Sequence, residues 1–185
     1  MNAANRWTLC RILLVPVFIA CLLYFSPERG YFYTAAVFVY LLACITDALD
    51  GYLARKMNQK TALGSTIDPI ADKLLLLSGY LSLSLMPNIP ESMRVPAWVT
   101  LVVISRDVVI LAGCLIIFVV TGALKVRPFF IGKITTVIQM GTLFASLLGL
   151  PWKIKSWLYF LTVGFTLLSG LFYIRAGGKM FQDME

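Results

Sequence analysis

The chain has 185 residues, of which 59% are hydrophobic and 14% charged, with a mean hydropathy of +0.85 and a formal net charge of +7. A soluble domain is about half apolar and about one quarter charged, so a chain this apolar cannot hide its surface from water, and its solvent is lipid. The positive charge lies scattered between apolar runs and forms no stripe, which argues against nucleic acid and reads as membrane topology plus attraction to anionic lipid.

A membrane-crossing helix takes about 20 mostly apolar residues, and lipid offers no partner to an unpaired backbone group, so every span is a helix. Six stretches qualify, at about residues 8–25, 31–53, 65–86, 95–122, 129–150 and 157–175. The first begins near Arg6 and Arg11, as a signal peptide would. It is long, however, lacks a small-x-small cleavage site and precedes further spans, so it is expected to be retained. Turn residues separate the spans: Ser26-Pro27, Pro87-Asn88-Ile89-Pro90, Arg127-Pro128 and Pro151. The expected fold is all-α, a single membrane-embedded domain over residues 1–185 built as a six-transmembrane-helix bundle.

Six spans put both termini on one side. That side would hold Arg6, Arg11, Arg55, Lys56, Lys60, Lys125, Arg127, Lys133, Arg175 and Lys179, against Arg29, Arg94, Lys153 and Lys155 opposite. Ten cations against four place the termini, and the loop after the second span, in the cytoplasm. Trp7, Tyr31, Trp98, Trp152 and Trp157 near span ends read as interface anchors.

Cys10, Cys21, Cys44 and Cys114 show no metal-binding spacing and sit in or beside apolar runs, as buried thiols would. There is no histidine, which removes the commonest general base and the usual catalytic triad. Acid–base work falls to Asp, Glu, Lys, Tyr or Cys.

Charges inside spans are costly, so each is a functional candidate. Of the nine acidic residues, Asp47, Asp50, Asp68 and Asp72 fall within 26 residues at one end of the second and third spans. Spacings of three and four put each pair on one helical face, and the hairpin between the helices should bring the faces together. Four such carboxylates stay ionised only beside cations. Oxygen donors without imidazole or thiolate suit Mg²⁺, Mn²⁺ or Ca²⁺, and carboxylate-held metals commonly bridge phosphate oxygens. A pyrophosphate at the membrane face is therefore the natural ligand. Two other readings stay open: a structural network with Arg55, Lys60 and Lys73, or a small cation or proton transporter using the same acids.

The full stretch reads Asp47-x2-Asp50-Gly51-x2-Ala54-Arg55-x8-Gly64-x3-Asp68-x3-Asp72. It resembles the signature of the CDP-alcohol phosphatidyltransferase family at all eight fixed positions. The resemblance implies a transferase that uses CDP-diacylglycerol and releases CMP, with Mg²⁺ or Mn²⁺ held by Asp47, Asp50 and Asp68. Asp72 would take the proton of the acceptor hydroxyl and touch a second metal. The CDP-lipid would lie against Asp47, Asp50, Gly51, Ala54, Arg55 and Gly64, whose small residues let a ligand approach the backbone or, alternatively, pack helices closely. A homodimer in a bacterial-type inner membrane, with the site facing the cytoplasm, is likewise implied.

The likeness continues outside the signature. Thr8 and Arg11 in Asn5-Arg6-Trp7-Thr8-Leu9-Cys10-Arg11 fall in register with the N-T-x-x-R opening of the family's phosphatidylglycerophosphate synthases. Val95-Pro96-Ala97-Trp98, Ile104-Ser105-Arg106-Asp107, Ile131-Gly132-Lys133-Ile134-Thr135-Thr136 and Gln139-Met140 are similar to that branch and to the CDP-diacylglycerol-using cardiolipin synthases. Glycerophosphate-specific members usually read Ser-Arg-Glu where this chain has Asp107, and Arg127-Pro128-Phe129-Phe130-Ile131 also leans to the cardiolipin type. Both acceptors stay open, glycerol 3-phosphate first and phosphatidylglycerol second. Arg106 and Lys133 are the candidate acceptor-binding cations, suited to a phosphate monoester. Lys133 could instead snorkel to the interface. A guanidinium inside a span must face the bundle and meet an anion, and Asp107, the next residue, is expected to point elsewhere.

Overall fold

The computed structural model of the chain describes residues 3–56, 62–121 and 130–182, with side chains over 10–46, 73–113 and 130–175 and at Leu115, Ile116 and Val119. Six α-helices follow in order: α1 Ala3–Leu23, α2 Tyr31–Lys56, α3 Ala62–Leu85, α4 Ala97–Thr121, α5 Phe130–Leu147 and α6 Trp152–Gln182. A 3-10 turn at Pro27–Arg29 leads into α2, and no strand occurs among the described residues. The all-helical expectation holds. The helices divide between two compact units, Met1–Arg94 with Ser146–Gly149, and Val95–Ala145 with Leu150–Glu185.

In the first unit α1 packs on both α2 and α3. Its buried stripe is Arg11, Val15, Phe18 and Leu22, a helical repeat of four, three and four. Ala36, Tyr40 and Ala43 form the matching stripe of α2, and Phe18 meets Tyr40 with ring centroids 5.8 Å apart. On α3 the stripe is Leu76, Tyr80 and Leu83. A helix end leaves carbonyls without intrahelical partners. Asn88, in the connection after α3, supplies donors for the end of α1: its Nδ2 donates to Leu22 O at 2.7 Å, Phe25 O at 3.0 Å and Leu23 O at 3.3 Å.

In the second unit α5 and α6 are joined by buried polar side chains. Thr142 and Thr162 hydroxyls lie 2.7 Å apart, Gln139 Nε2 donates to Thr166 Oγ1 at 3.0 Å, and Thr135 Oγ1 donates to Phe165 O at 3.2 Å. Small hydroxyl residues allow close approach and hydrogen bonding where lipid provides no hydrophobic drive between helices. The connection to α6 is equally local. Gly149, at φ +63°, donates its N–H to Ser146 O at 2.9 Å, and Leu150 N–H reaches Ala145 O at 3.2 Å, closing the helix end before Pro151.

The outward surface is apolar. Leu13, Phe38, Leu101, Val119 and Phe160 are all exposed, an arrangement suited to lipid and hazardous in water. Among the described residues, two helical stretches are long and apolar enough to cross a bilayer, Phe130–Leu147 and Trp152–Arg175. Shorter apolar helical stretches cover Cys10–Leu23, Tyr31–Thr46 and Lys73–Leu85. Tyr31, Trp98, Trp152 and Trp157 are exposed, as interface anchors would be, while the Trp7 side chain lies outside the described residues. Among the described side chains, only Cys21 is a buried thiol. Cys10 and Cys44 are half-buried, because they border their helix's inward stripe, and Cys114 lies outside the described side chains.

Candidate functional site

Asp47, Asp50, Gly51, Ala54 and Arg55 belong to the C-terminal turns of α2, and Gly64, Asp68 and Asp72 to the N-terminal half of α3. Their side chains lie outside the described residues. The backbone nonetheless fixes their register. Counting in steps of four and three from Ala36, Tyr40 and Ala43 reaches 47, 50 and 54, so these positions share the helical phase of that stripe. Positions 64, 68 and 72 follow one another at intervals of one turn on α3. Among the described side chains, no three of His, Cys, Asp and Glu come together as a metal-holding group.

The same register buries a residue that the sequence had placed among the cations of the cytoplasmic side. Arg11 is 1% exposed and heads the inward stripe of α1. Phe18 pairs with Tyr40, Phe25 with Tyr33 and Tyr24 with Phe32, so α1 and α2 run antiparallel. Carrying that pairing along the helices sets Arg11 level with positions 45–47, at the first aspartate of the signature. A buried guanidinium is retained only where anions or dipoles compensate it. Its signal in the sequence was the phase it shares with Val15, Phe18 and Leu22.

The second cluster surrounds Arg106 in the middle of α4, which is 7% exposed, as expected of a guanidinium inside a span. The expectation that Asp107 points elsewhere is overturned: Arg106 Nη1 donates to Asp107 Oδ1 at 2.8 Å. Neighbouring Cα–Cβ bonds do diverge, but the long arginine stem folds back far enough to meet the short carboxylate. Nη2 donates to Ser169 Oγ on α6 at 2.7 Å, and the guanidinium carbon sits 5.7 Å from the centre of the Tyr173 ring. Nε is buried and makes no hydrogen bond among the described residues. On α5 the residue facing this group is Gly132: a Cβ there would stand 3.3 Å from Arg106 Nη2 and 3.1 Å from the Tyr173 hydroxyl oxygen. Lys133, the next residue, is exposed. Ser169 and Tyr173 carried no motif, so only the packing of α6 on α4 discloses them.

The profile of the family described as CDP-alcohol phosphatidyltransferase matches residues 1–168, running through both compact units. The chain is 33% identical over 189 residues to the CDP-diacylglycerol–glycerol-3-phosphate 3-phosphatidyltransferase of Bacillus subtilis, covering 93% of each protein. It is 38% identical over 106 residues to a Mycobacterium tuberculosis protein named "Probable phosphatidylglycerophosphate synthase", covering 57% of this chain and 48% of that one. It is also 34% identical over 143 residues to the cardiolipin synthase (CMP-forming) of Rattus norvegicus, covering 66% of this chain and 45% of that one. The chain thus spans about half the length of the mycobacterial and rat relatives and nearly all of the Bacillus one.

Proposed function

Because the chain belongs to the CDP-alcohol phosphatidyltransferase family, we propose that it transfers the phosphatidyl group of CDP-diacylglycerol to glycerol 3-phosphate, yielding phosphatidylglycerophosphate and CMP. The observation that carries this reading is the complete eight-position signature from Asp47 to Asp72, carried on the helices α2 and α3. The Bacillus relative, matched end to end, supports glycerol 3-phosphate as the acceptor. With the family established, the same acids have no need of an ion-transport role.

Asp47, Asp50, Asp68 and Asp72 are the donors for a divalent cation, Mg²⁺ or Mn²⁺. An all-oxygen set fits a hard cation, since the chain has no imidazole to draw a softer one. Such a cation stabilises charge on the departing CMP phosphate. Asp72 accepts the acceptor hydroxyl's proton as its oxygen attacks the phosphatidyl phosphorus. The bond from that phosphorus to the CMP oxygen breaks in the same step. Gly51, Ala54 and Gly64 leave room for the nucleotide beside Arg55. Arg106 and Lys133 hold the phosphate of the acceptor.

On this reading the enzyme is a homodimer that lies in a bacterial-type inner membrane as six spans, with both termini and the aspartates on the cytoplasmic side. Taking buried Arg11 from the ten cytoplasmic cations and buried Lys155 from the four opposite leaves nine against three, the same orientation.

A second reading has phosphatidylglycerol as acceptor, giving cardiolipin. The Arg106–Asp107 pair favours it, because a half-neutralised guanidinium suits the single charge of a phosphodiester better than the two of a monoester. The deciding experiment incubates purified protein with CDP-diacylglycerol, Mg²⁺ and, in turn, glycerol 3-phosphate, phosphatidylglycerol, inositol phosphate and serine. Glycerol 3-phosphate is expected to give the fastest CMP release, abolished by EDTA and restored by Mg²⁺ or Mn²⁺. No CMP with any acceptor would refute the transferase reading.

A further inference from the structure

We propose that Ser169 and Tyr173 of α6 are positioning residues for the acceptor, holding the Arg106 guanidinium in the one orientation that presents its remaining donors to the acceptor phosphate. This rests on the reading of Arg106 as an acceptor-binding cation. The Ser169 side chain is wholly buried and its Oγ accepts from Nη2 at 2.7 Å, while the Tyr173 ring lies under the guanidinium at 5.7 Å. Asp107 holds the opposite nitrogen, Nη1, at 2.8 Å.

The donor inventory gives the arrangement its consequence. A guanidinium carries five N–H donors. The described partners engage one on Nη1 and one on Nη2, while Nε is buried and unbonded among the described residues. An arginine stem is costly to order, so a head clamped before substrate arrives loses less freedom when it binds. Free rotation would also let the head turn a second donor towards Asp107, a bidentate pairing that would leave fewer for the substrate.

Gly132 completes the clamp from α5. Its missing Cβ leaves room for the Tyr173 hydroxyl and Nη2, both of which an added methyl would crowd at 3.1 and 3.3 Å. Gly170, next to Ser169, packs against the stem of the same arginine, with its would-be Cβ 3.7 Å from Arg106 Cγ.

The test is steady-state kinetics on the full-length protein in detergent–lipid micelles, varying glycerol 3-phosphate and CDP-diacylglycerol separately. Ser169→Ala should raise the KM for glycerol 3-phosphate about five- to ten-fold, the worth of one ordinary hydrogen bond. The KM for CDP-diacylglycerol should stay within about two-fold of the parent. Gly132→Ala should do the same, and Ser169→Thr, which keeps the hydroxyl, should recover most of the loss. In the Arg106→Ala background, Ser169→Ala should add nothing. Thr166→Ala, one turn away and bonded to Gln139, serves as a control for loosening of α6 and should leave both KM values in place. A Ser169→Ala effect that persists without Arg106, or that falls equally on both substrates, overturns the proposal. An Arg106→Ala variant with an unchanged acceptor KM instead overturns the assignment of Arg106 itself. That result is separable, because it comes from a single substitution that leaves Ser169 intact.

Discussion

Asp107 Oδ1 accepts a hydrogen bond from Nη1 of the residue before it, Arg106, at 2.8 Å, within a helix where two neighbours ordinarily diverge. The pair offsets the charge of a cation buried in the middle of α4 and sets how much positive charge is left for a substrate. Asp107 is 17% exposed at its side chain and Arg106 6%, so solvent screens the pair only in part.

Asp107→Asn keeps an oxygen for Nη1 but removes the negative charge. The KM for glycerol 3-phosphate should fall about two- to five-fold, as repulsion between the carboxylate and the acceptor phosphate disappears. Initial-rate measurements over a range of acceptor concentrations read this out. A rise in KM would mean that Asp107 organises the site more than it repels the substrate.

Asp72→Asn removes the proposed proton acceptor while keeping its size. Turnover should drop by about 10²-fold or more, the ordinary contribution of a placed general base. CDP-diacylglycerol should still bind, monitored by its protection of the protein against heat in the presence of Mg²⁺. Wild-type turnover in this variant is incompatible with the assigned role.

Arg11→Met replaces a wholly buried guanidinium by an apolar stem and strips the compensation from whatever anions it balances. Losing one side of a buried charge arrangement costs about 3–5 kcal/mol. Thermal unfolding in detergent should show a large loss, with Arg11→Lys intermediate because it restores the charge without the fork. A fully stable methionine variant would mean that the buried cation balances nothing.

Asn88→Ala should separate stability from chemistry. It withdraws the donors from the Leu22 and Phe25 carbonyls at the end of α1, at a cost of about 1–2 kcal/mol. The KM values for both substrates should not move, since nothing assigned to the site involves this loop. Differential scanning fluorimetry paired with the CMP-release assay checks both halves of the expectation.

Local chemistry was open to reading from the residues in order. Lipid forces backbone groups to pair within the segment, so apolar stretches had to be helices, and the structure has six. A spacing of three or four residues is a property of the helix alone, which is why Asp47 with Asp50 and Asp68 with Asp72 could be assigned to common faces without coordinates. Where the reading went wrong, the deciding contact involved a side chain's reach. Asp107 was expected to point away because Cβ directions diverge, and Arg11 was counted with the cytoplasmic-side cations because charge was weighed ahead of helical phase.

By itself, then, the sequence determined the solvent and the helices, because composition and a 3.6-residue period act within single segments. Which distant residues meet was decided only by tertiary structure. Asn88 caps a helix that ends 65 residues earlier, and Ser169 holds an arginine 63 residues away. Neither partner carries a periodic or charged mark, and the order in which helices pack around one another is invisible to a pattern that repeats along each helix alone.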